Sequence, residues 1–180
     1  PKSQARRSAQ TALYHITHAM LRWMAPFLSF TAEEAWTIIG NSESVFLETY
    51  SELPAPDAAL MAKWTRLLEI RAAANKEIET LREQGQVGSS LQANLRIIAP
   101  AADLDLLKSL GDDLKFVFIT SKVELAPGDA LQIAVSPATA QKCERCWHWR
   151  DDVGSDAAHP ALCGRCSSNL YGAGETREFA

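Results

Sequence analysis

Cys143, Cys146, Cys163 and Cys166 are the only thiols in this 180-residue chain, and they form the pattern C-x2-C-x16-C-x2-C. A gap of two residues lets the backbone turn a tight knuckle with both sulfurs facing one point. Two such knuckles supply a tetrahedral thiolate shell. Soft thiolates in that geometry select zinc, with iron in the same all-sulfur shell as the lesser alternative. Two disulfides or a redox pair are the other uses of four thiols. Disulfides rarely persist in a reducing compartment, and a redox C-x-x-C opens a helix after a strand, a context this segment does not resemble. Four protein ligands leave no open position, so the expected metal is one structural zinc, holding a tail too short to build its own core. Gly164 suits the cramped backbone of the second knuckle. His148 and His159 are alternative ligands, but four thiols in register make them unnecessary.

Beside the thiols stand Trp147, Trp149, Arg145 and Arg150. In an extended stretch the two indoles project to the same side. One reading makes them a miniature core over the knuckles. The other makes them a base-stacking platform, with the two arginines nearby for phosphate or a base edge. The residues alone leave these two readings level. From Lys142 to Ala180 five Lys/Arg oppose six Asp/Glu, and a tetrathiolate zinc adds net negative charge. A nucleic-acid contact here is therefore local and shape-based.

The elements that must position these residues are read from periodicity. Leu13, Ile16, Met20, Trp23 and Phe27 share one face of a first helix over 4–25, which Pro26 ends. Thr31 and Glu34 have the spacing of a capping box for a second helix running to Ile39 and stopping at Gly40-Asn41. The SVFLETY segment reads as extended, and Pro54 and Pro56 mark a loop. Asp57 caps a long third helix with Leu60, Trp64, Leu67, Ala74, Ile78 and Leu81 on its buried stripe, closed by Gly85. Arg71 falls on that stripe as a snorkelling or ion-paired side chain. Leu91, Ala93, Leu95 and Ile97 alternate as a strand. DLDLLKSLG is a short helix ended by Gly111, and LKFVFIT, KVELAP and LQIAV read as strands, the last two joined by a turn at Pro127-Gly128-Asp129. Pro137 and the residues after it form a linker. The fold class is thus α+β, with a helical unit over 1–87, a small mixed α/β unit over 88–138 and a zinc-binding module over 139–180.

Composition narrows the function classes. A hydrophobic fraction of 47% permits a packed core, and the net charge of −4 rules out a bulk positive field as the attraction for nucleic acid. No apolar run approaches the roughly 20 residues of a membrane helix, and the start lacks a signal-peptide pattern. A cytoplasmic protein without a membrane partner is expected. His15 and His18 have no third ligand in step, Glu33 and Glu34 face different ways, and the glycine-rich GQVGSS lacks a lysine and a following helix. No set of residues has the makings of a catalytic site.

MLRWMAPFLSFTAEEAW resembles the anticodon-binding helices of class I aminoacyl-tRNA synthetases for branched aliphatic amino acids. EIRAAANKEIETLREQGQVGSSLQANL resembles the long helix and following strand of the same group. KCERCWHW with CGRCSSNLYGAGETREFA is similar to the C-terminal zinc module of bacterial isoleucyl-tRNA synthetases, a tail that the valine enzymes generally lack. The resemblance implies a partial helical anticodon-binding bundle and a zinc module that together hold the anticodon stem-loop of isoleucine tRNA. Catalytic and editing domains of the same parent chain are then the other partners. It also implies further bundle helices upstream and an ATP-dependent isoleucine–tRNA ligase as the parent, with this region catalytically silent. The C-x-R-C-W unit favours Arg145 and Trp147 for the tRNA contact. Formamidopyrimidine-DNA glycosylases carry a similar finger and an N-terminal proline nucleophile, but PKSQARR does not resemble their acidic opening. A zinc-stapled protein-interaction module is the other alternative.

Overall fold

A computed structural model describes residues 3–175 of the chain. They fall into two compact units that divide between Pro56 and Asp57.

The first unit holds α1 (Gln4–Met24) and α2 (Ser29–Ile38). Ser3 caps α1 by accepting from the Arg6 amide at 3.4 Å. Its core is Leu21, Ala25, Ala32, Trp36 and Val45. The apolar face of Leu13, Ile16, Met20, Trp23 and Phe27 exists as a face, but it is exposed, with Phe27 at 71%. Amphipathic spacing identifies an apolar side without saying what covers it. The capping box at Thr31 does not form. α2 begins two residues earlier, and Ser29 Oγ turns back to donate to the Ala25 carbonyl at 2.9 Å. Glu33, rather than Glu34, does the tying: one carboxylate oxygen accepts from Ser44 Oγ and the Val45 amide, both at 2.9 Å. That closure bends Val45–Leu47 into a 3-10 turn where an extended segment was expected. Trp36 donates its indole N–H to the Glu43 carbonyl at 2.9 Å, so its ring is buried with its polar atom satisfied. His18 packs between Tyr14 and Trp36, and burial, then Arg22, lowers its pKa.

The second unit begins with α3 (Ala58–Glu83), which has neither Gly nor Pro inside it. Asp57 Oδ1 caps it by accepting from the Leu60 amide at 3.0 Å, and Gly85, at φ 71°, carries the chain out. The buried stripe is Leu67, Ile70, Ala74 and Ile78. Leu60 and Trp64, expected on it, are exposed because the core packs against the helix only from Leu67 to Ile78. Strands β1 (Ala93–Ala99), β2 (Lys122–Pro127) and β3 (Gln132–Pro137) form a sheet in the order β2-β1-β3. β1 pairs parallel to β2, with Ile97 opposite Leu125, and antiparallel to β3, with Ile97 opposite Ile133. Ala93, Leu95, Ile97 and Ala99 point every second residue into the α3 stripe. Each buried Leu or Ile there contributes about 1.5–3 kcal/mol.

A parallel pair needs a crossover between its strands. α4 (Ala101–Lys108) and α5 (Leu114–Phe118) supply it, and they add Leu107, Leu114 and Phe118 to the same core. LKFVFIT is therefore helical at its start where a strand was expected. Aromatic and branched residues favour a strand, but the crossover requirement and the burial of Leu114 with Phe118, one turn apart, decide for helix. Gly111 opens a 3-10 turn before α5 instead of ending α4 directly. The Ala138 amide donates to the Gln92 carbonyl at 2.7 Å, which binds the expected linker to the sheet unit.

Candidate metal centre and nucleic-acid interface

The tail is built from the two-residue strands β4 (Gln141–Lys142) and β5 (Trp149–Arg150), which flank the first knuckle, and α6 (Gly164–Tyr171), which follows Cys163 and carries Cys166. β4 and β5 pair antiparallel, with Lys142 opposite Trp149. The Glu144 amide donates to the Ala161 carbonyl and the Gly154 amide to the Leu162 carbonyl, both at 3.1 Å. These two bonds hold the knuckles face to face.

The ligand atoms of Cys143, Cys146, Cys163 and Cys166 lie within 4.8 Å of one another, with three of the four residues buried. Cys146 Sγ and Cys163 Sγ are 3.8 Å apart. A zinc–sulfur bond of about 2.3 Å makes a tetrahedral edge of about 3.8 Å, whereas a disulfide needs about 2.05 Å. The donor set therefore fits zinc, and the cysteines are free thiols rather than bridges. Burial works to raise the Cys143 thiol, but the amides of Cys146, Cys163 and Arg145 outweigh it and bring the pKa down to about 6. Burial pushes Cys146 up to about 12. Neither histidine belongs to the cluster. His148 sits with Nδ1 at 3.1 Å from the Cys146 carbonyl, and His159 stacks on Tyr171 at 3.7 Å.

The two tryptophans are not equivalent. The expected extended geometry breaks at Trp147, whose φ is 65°. Its amide donates to the Cys143 carbonyl at 2.9 Å, closing the knuckle, and that closure imposes the left-handed backbone. The indole N–H donates to the Glu144 carbonyl at 3.1 Å while the residue stays 59% exposed. Trp149 is half-buried, and its amide donates to Ser121 Oγ at 2.6 Å. Together with Arg150 it lines a cleft that includes Asn94, Ser121 and Lys122.

The arginines divide in the same way. Arg150 forms a forked pair with Asp152, at 2.8 and 3.2 Å, and Asp152 also accepts from the Gly164 amide at 3.2 Å. The Arg150 bond holds the Asp152 carboxyl below its ordinary range. Gly164 is close-packed here, since a Cβ would stand 3.1 Å from Asp152 Oδ2. Arg145 is exposed, and its guanidinium reaches Cys166 Sγ at 3.5 Å. Ser121 and Asp152, which fix the module, were not singled out by sequence. Asp152 lies two residues after its partner, a readable signal, whereas Ser121 meets Trp149 only through the fold. His148 packs edge-on against Phe116 of α5 at 5.5 Å, and Arg165 lies 5.1 Å from that same ring.

Among the described residues, no helix is long and apolar enough to cross a membrane. Residues 140–169 match the family described as the zinc finger found in FPG and IleRS. With the four-sulfur cluster, that match supports one structural zinc ion. The chain is 56% identical over 191 aligned positions to an isoleucine–tRNA ligase of Cupriavidus necator. It is 54% identical to isoleucine–tRNA ligases of Ralstonia pickettii and Bordetella pertussis. These alignments cover 100%, 100% and 99% of the chain and 20% of each relative, so the chain spans about a fifth of their length. Residues 1–98 match the anticodon-binding domain of tRNA ligase, and the chain belongs to that family.

Proposed function

We propose that this chain is the tRNA-binding C-terminal part of an isoleucine–tRNA ligase, and that it holds the anticodon stem-loop of isoleucine tRNA for catalytic and editing domains elsewhere in the parent chain. The observation that carries the reading is the joint match of 1–98 to an anticodon-binding domain and of 140–169 to a finger shared with the isoleucine enzyme. The same finger family includes a glycosylase group, but the preceding 98 residues favour the synthetase. In this reading residues 1–87 form the helical anticodon-binding domain, 88–138 a junction unit and 139–180 the zinc module. Helices from the rest of the parent chain cover the exposed face of Leu13, Ile16, Met20, Trp23 and Phe27, a run of large apolar side chains on one side of α1 and the turn after it.

Cys143, Cys146, Cys163 and Cys166 are the zinc ligands. Arg145 and Trp147 make the tail's tRNA contact. Trp149 and Arg150 serve mainly to seat the module, because the first is half-buried at Ser121 and the second is engaged by Asp152. The discriminating experiment is charging of isoleucine tRNA by the full-length protein carrying Trp147→Ala or Trp149→Ala. Stacking on an aromatic contributes roughly 1–3 kcal/mol per base. Trp147→Ala should therefore raise the KM for tRNA by about one to two orders of magnitude, with isoleucine-dependent pyrophosphate exchange and zinc content unchanged. Wild-type charging by Trp147→Ala would remove the contact. The isolated 180-residue chain should show only background exchange.

A further inference from the structure

The described part of the tail holds four cations, and they are not equivalent. Arg150 is engaged by Asp152 and Arg165 by Glu175. Lys142 and Arg145 form no ion pair among the described residues, and both flank Trp147 on the first knuckle. Arg145 leans on a cysteine sulfur. Lys142 does something different: its Nζ lies over the Trp147 ring, 5.7 Å from the centroid.

We propose that Lys142 and Trp147 form a nucleotide subsite for one unstacked nucleotide of single-stranded RNA, in which the indole takes the base, the ammonium takes a flanking phosphate, and the base is not read. The inference rests on the tRNA reading above and goes beyond it in naming the phosphate contact and the lack of base identity.

Three observations carry it. Both residues are fixed by the metal knuckle. Lys142 is paired in the β4–β5 ladder and immediately precedes Cys143, and the amide of Trp147 closes back on the Cys143 carbonyl. The indole is pinned yet open, 59% exposed with its N–H held by the Glu144 carbonyl, so little side-chain freedom is lost when a base stacks. Finally, the indole nitrogen is a donor only, and that donor is already spent on Glu144. The Trp147 side chain therefore has no polar atom left with which to read a base edge. A π-face that meets any base, with a cation one side chain away, is the arrangement of sequence-tolerant single-strand binding. Base identity must then be read by residues other than Trp147.

The test is binding of isoleucine tRNA to the full-length protein across a range of monovalent salt, with zinc content measured for each variant. Lys142→Gln should flatten the log–log salt slope by about 0.7, the value for one single-strand phosphate, and Lys142→Arg should restore it. Trp147→Ala should weaken binding roughly 10- to 100-fold at every salt concentration with the slope unchanged. If Lys142→Gln loses zinc, Lys142→Met, which keeps the aliphatic stem, gives the slope instead. A wild-type slope in a zinc-loaded Lys142 variant, with Trp147→Ala still weakened, overturns the subsite and leaves the tRNA reading standing. Wild-type binding by the Trp147 and Lys142 variants alike overturns both the subsite and the Trp147 contact, and leaves tRNA binding to residues 1–98. The loop nucleotide whose abasic form matters in wild type but not in Trp147→Ala is the stacked one. Exchanging its base should cost less than deleting it, and a base that binds as poorly as the abasic site would show that identity is read here after all.

Discussion

Ser121 Oγ accepts the Trp149 amide at 2.6 Å and donates to the Leu91 carbonyl at 2.5 Å. One hydroxyl thus joins the start of β2, the turn before β1 and the strand that leaves the first knuckle. Ser121→Ala strands a donor and an acceptor, one on each side of that joint, at about 1–3 kcal/mol each if no water enters. The expected result is a lower unfolding midpoint and faster amide exchange at Trp149 with zinc still bound. Unchanged exchange at Trp149 would mean that Phe116 and His148 seat the module without the hydroxyl.

Metal removal should act on the tail first. Among the described residues, Cys143, Cys163 and Cys166 make up the buried apolar cluster of the module, with Cys146, Val153 and Leu162 packed against it. The β1–β3 sheet has its own core against α3. Chelation should therefore unfold 141–171 while the far-UV signal of α3 and the sheet remains, and zinc should restore the tail. Loss of both parts together would show that they form a single cooperative unit.

Zinc binding should also depend on pH, and the sign follows from the thiols. At neutral pH Cys146, pushed up to about 12, carries a proton that the metal must displace. Cys143, at about 6, is already largely ionised and competes with protons only below that pH. Affinity should fall as pH falls, more steeply below about 6, and binding at neutral pH should release protons to the buffer. Calorimetry in buffers of different ionisation enthalpy measures that release, and zero release would contradict the raised Cys146 thiol.

How much of this was legible in the sequence depended on whether the deciding force was local. Asp57 as a cap, Gly85 as a stop and the spacing of the four cysteines are local, and each is where the residues place it. LKFVFIT reads as a strand because a five-residue helix is too short to display its period, and only the crossover from β1 to the parallel β2 requires one. Thr31 is not the cap because α2 already begins at Ser29, which puts Thr31 inside the first turn. Trp147 and Trp149 look equivalent in a string. They separate only when the knuckle forces one of them to positive φ.

Away from the four cysteines, Arg66 and Asp103 tie α3 to α4 at 2.7 Å. Hydrogen bonding to Arg66 holds the Asp103 carboxyl below its usual range. A depressed carboxyl contributes stability above its unfolded pKa of 3.8 and loses that contribution as pH falls through the folded value. Arg66 is partly exposed, so the pair contributes about 1 kcal/mol or less. Asp103→Asn should lower stability by that much at neutral pH, and the gap to wild type should close in acid. A gap that persists there would mean the loss is one of packing rather than charge.

The backbone of Trp147 gives a way to separate its structural and binding roles. A non-glycine residue at φ 65° sits in the left-handed region at a cost of roughly 1–2 kcal/mol, and the knuckle imposes that conformation on whatever residue follows Cys146. Trp147→Ala keeps the strain and loses the ring. Trp147→Gly loses the same ring but removes the strain. Glycine should therefore hold the zinc module more stably than alanine by about 1 kcal/mol, read as a higher unfolding midpoint and slower zinc release. Both variants should lose tRNA affinity to the same extent, because the stacking surface is gone in each. Equal stability of the two would show that the turn is unstrained. If the glycine variant recovered tRNA binding, the indole's role would be to hold the knuckle in shape, and the base would have to stack elsewhere.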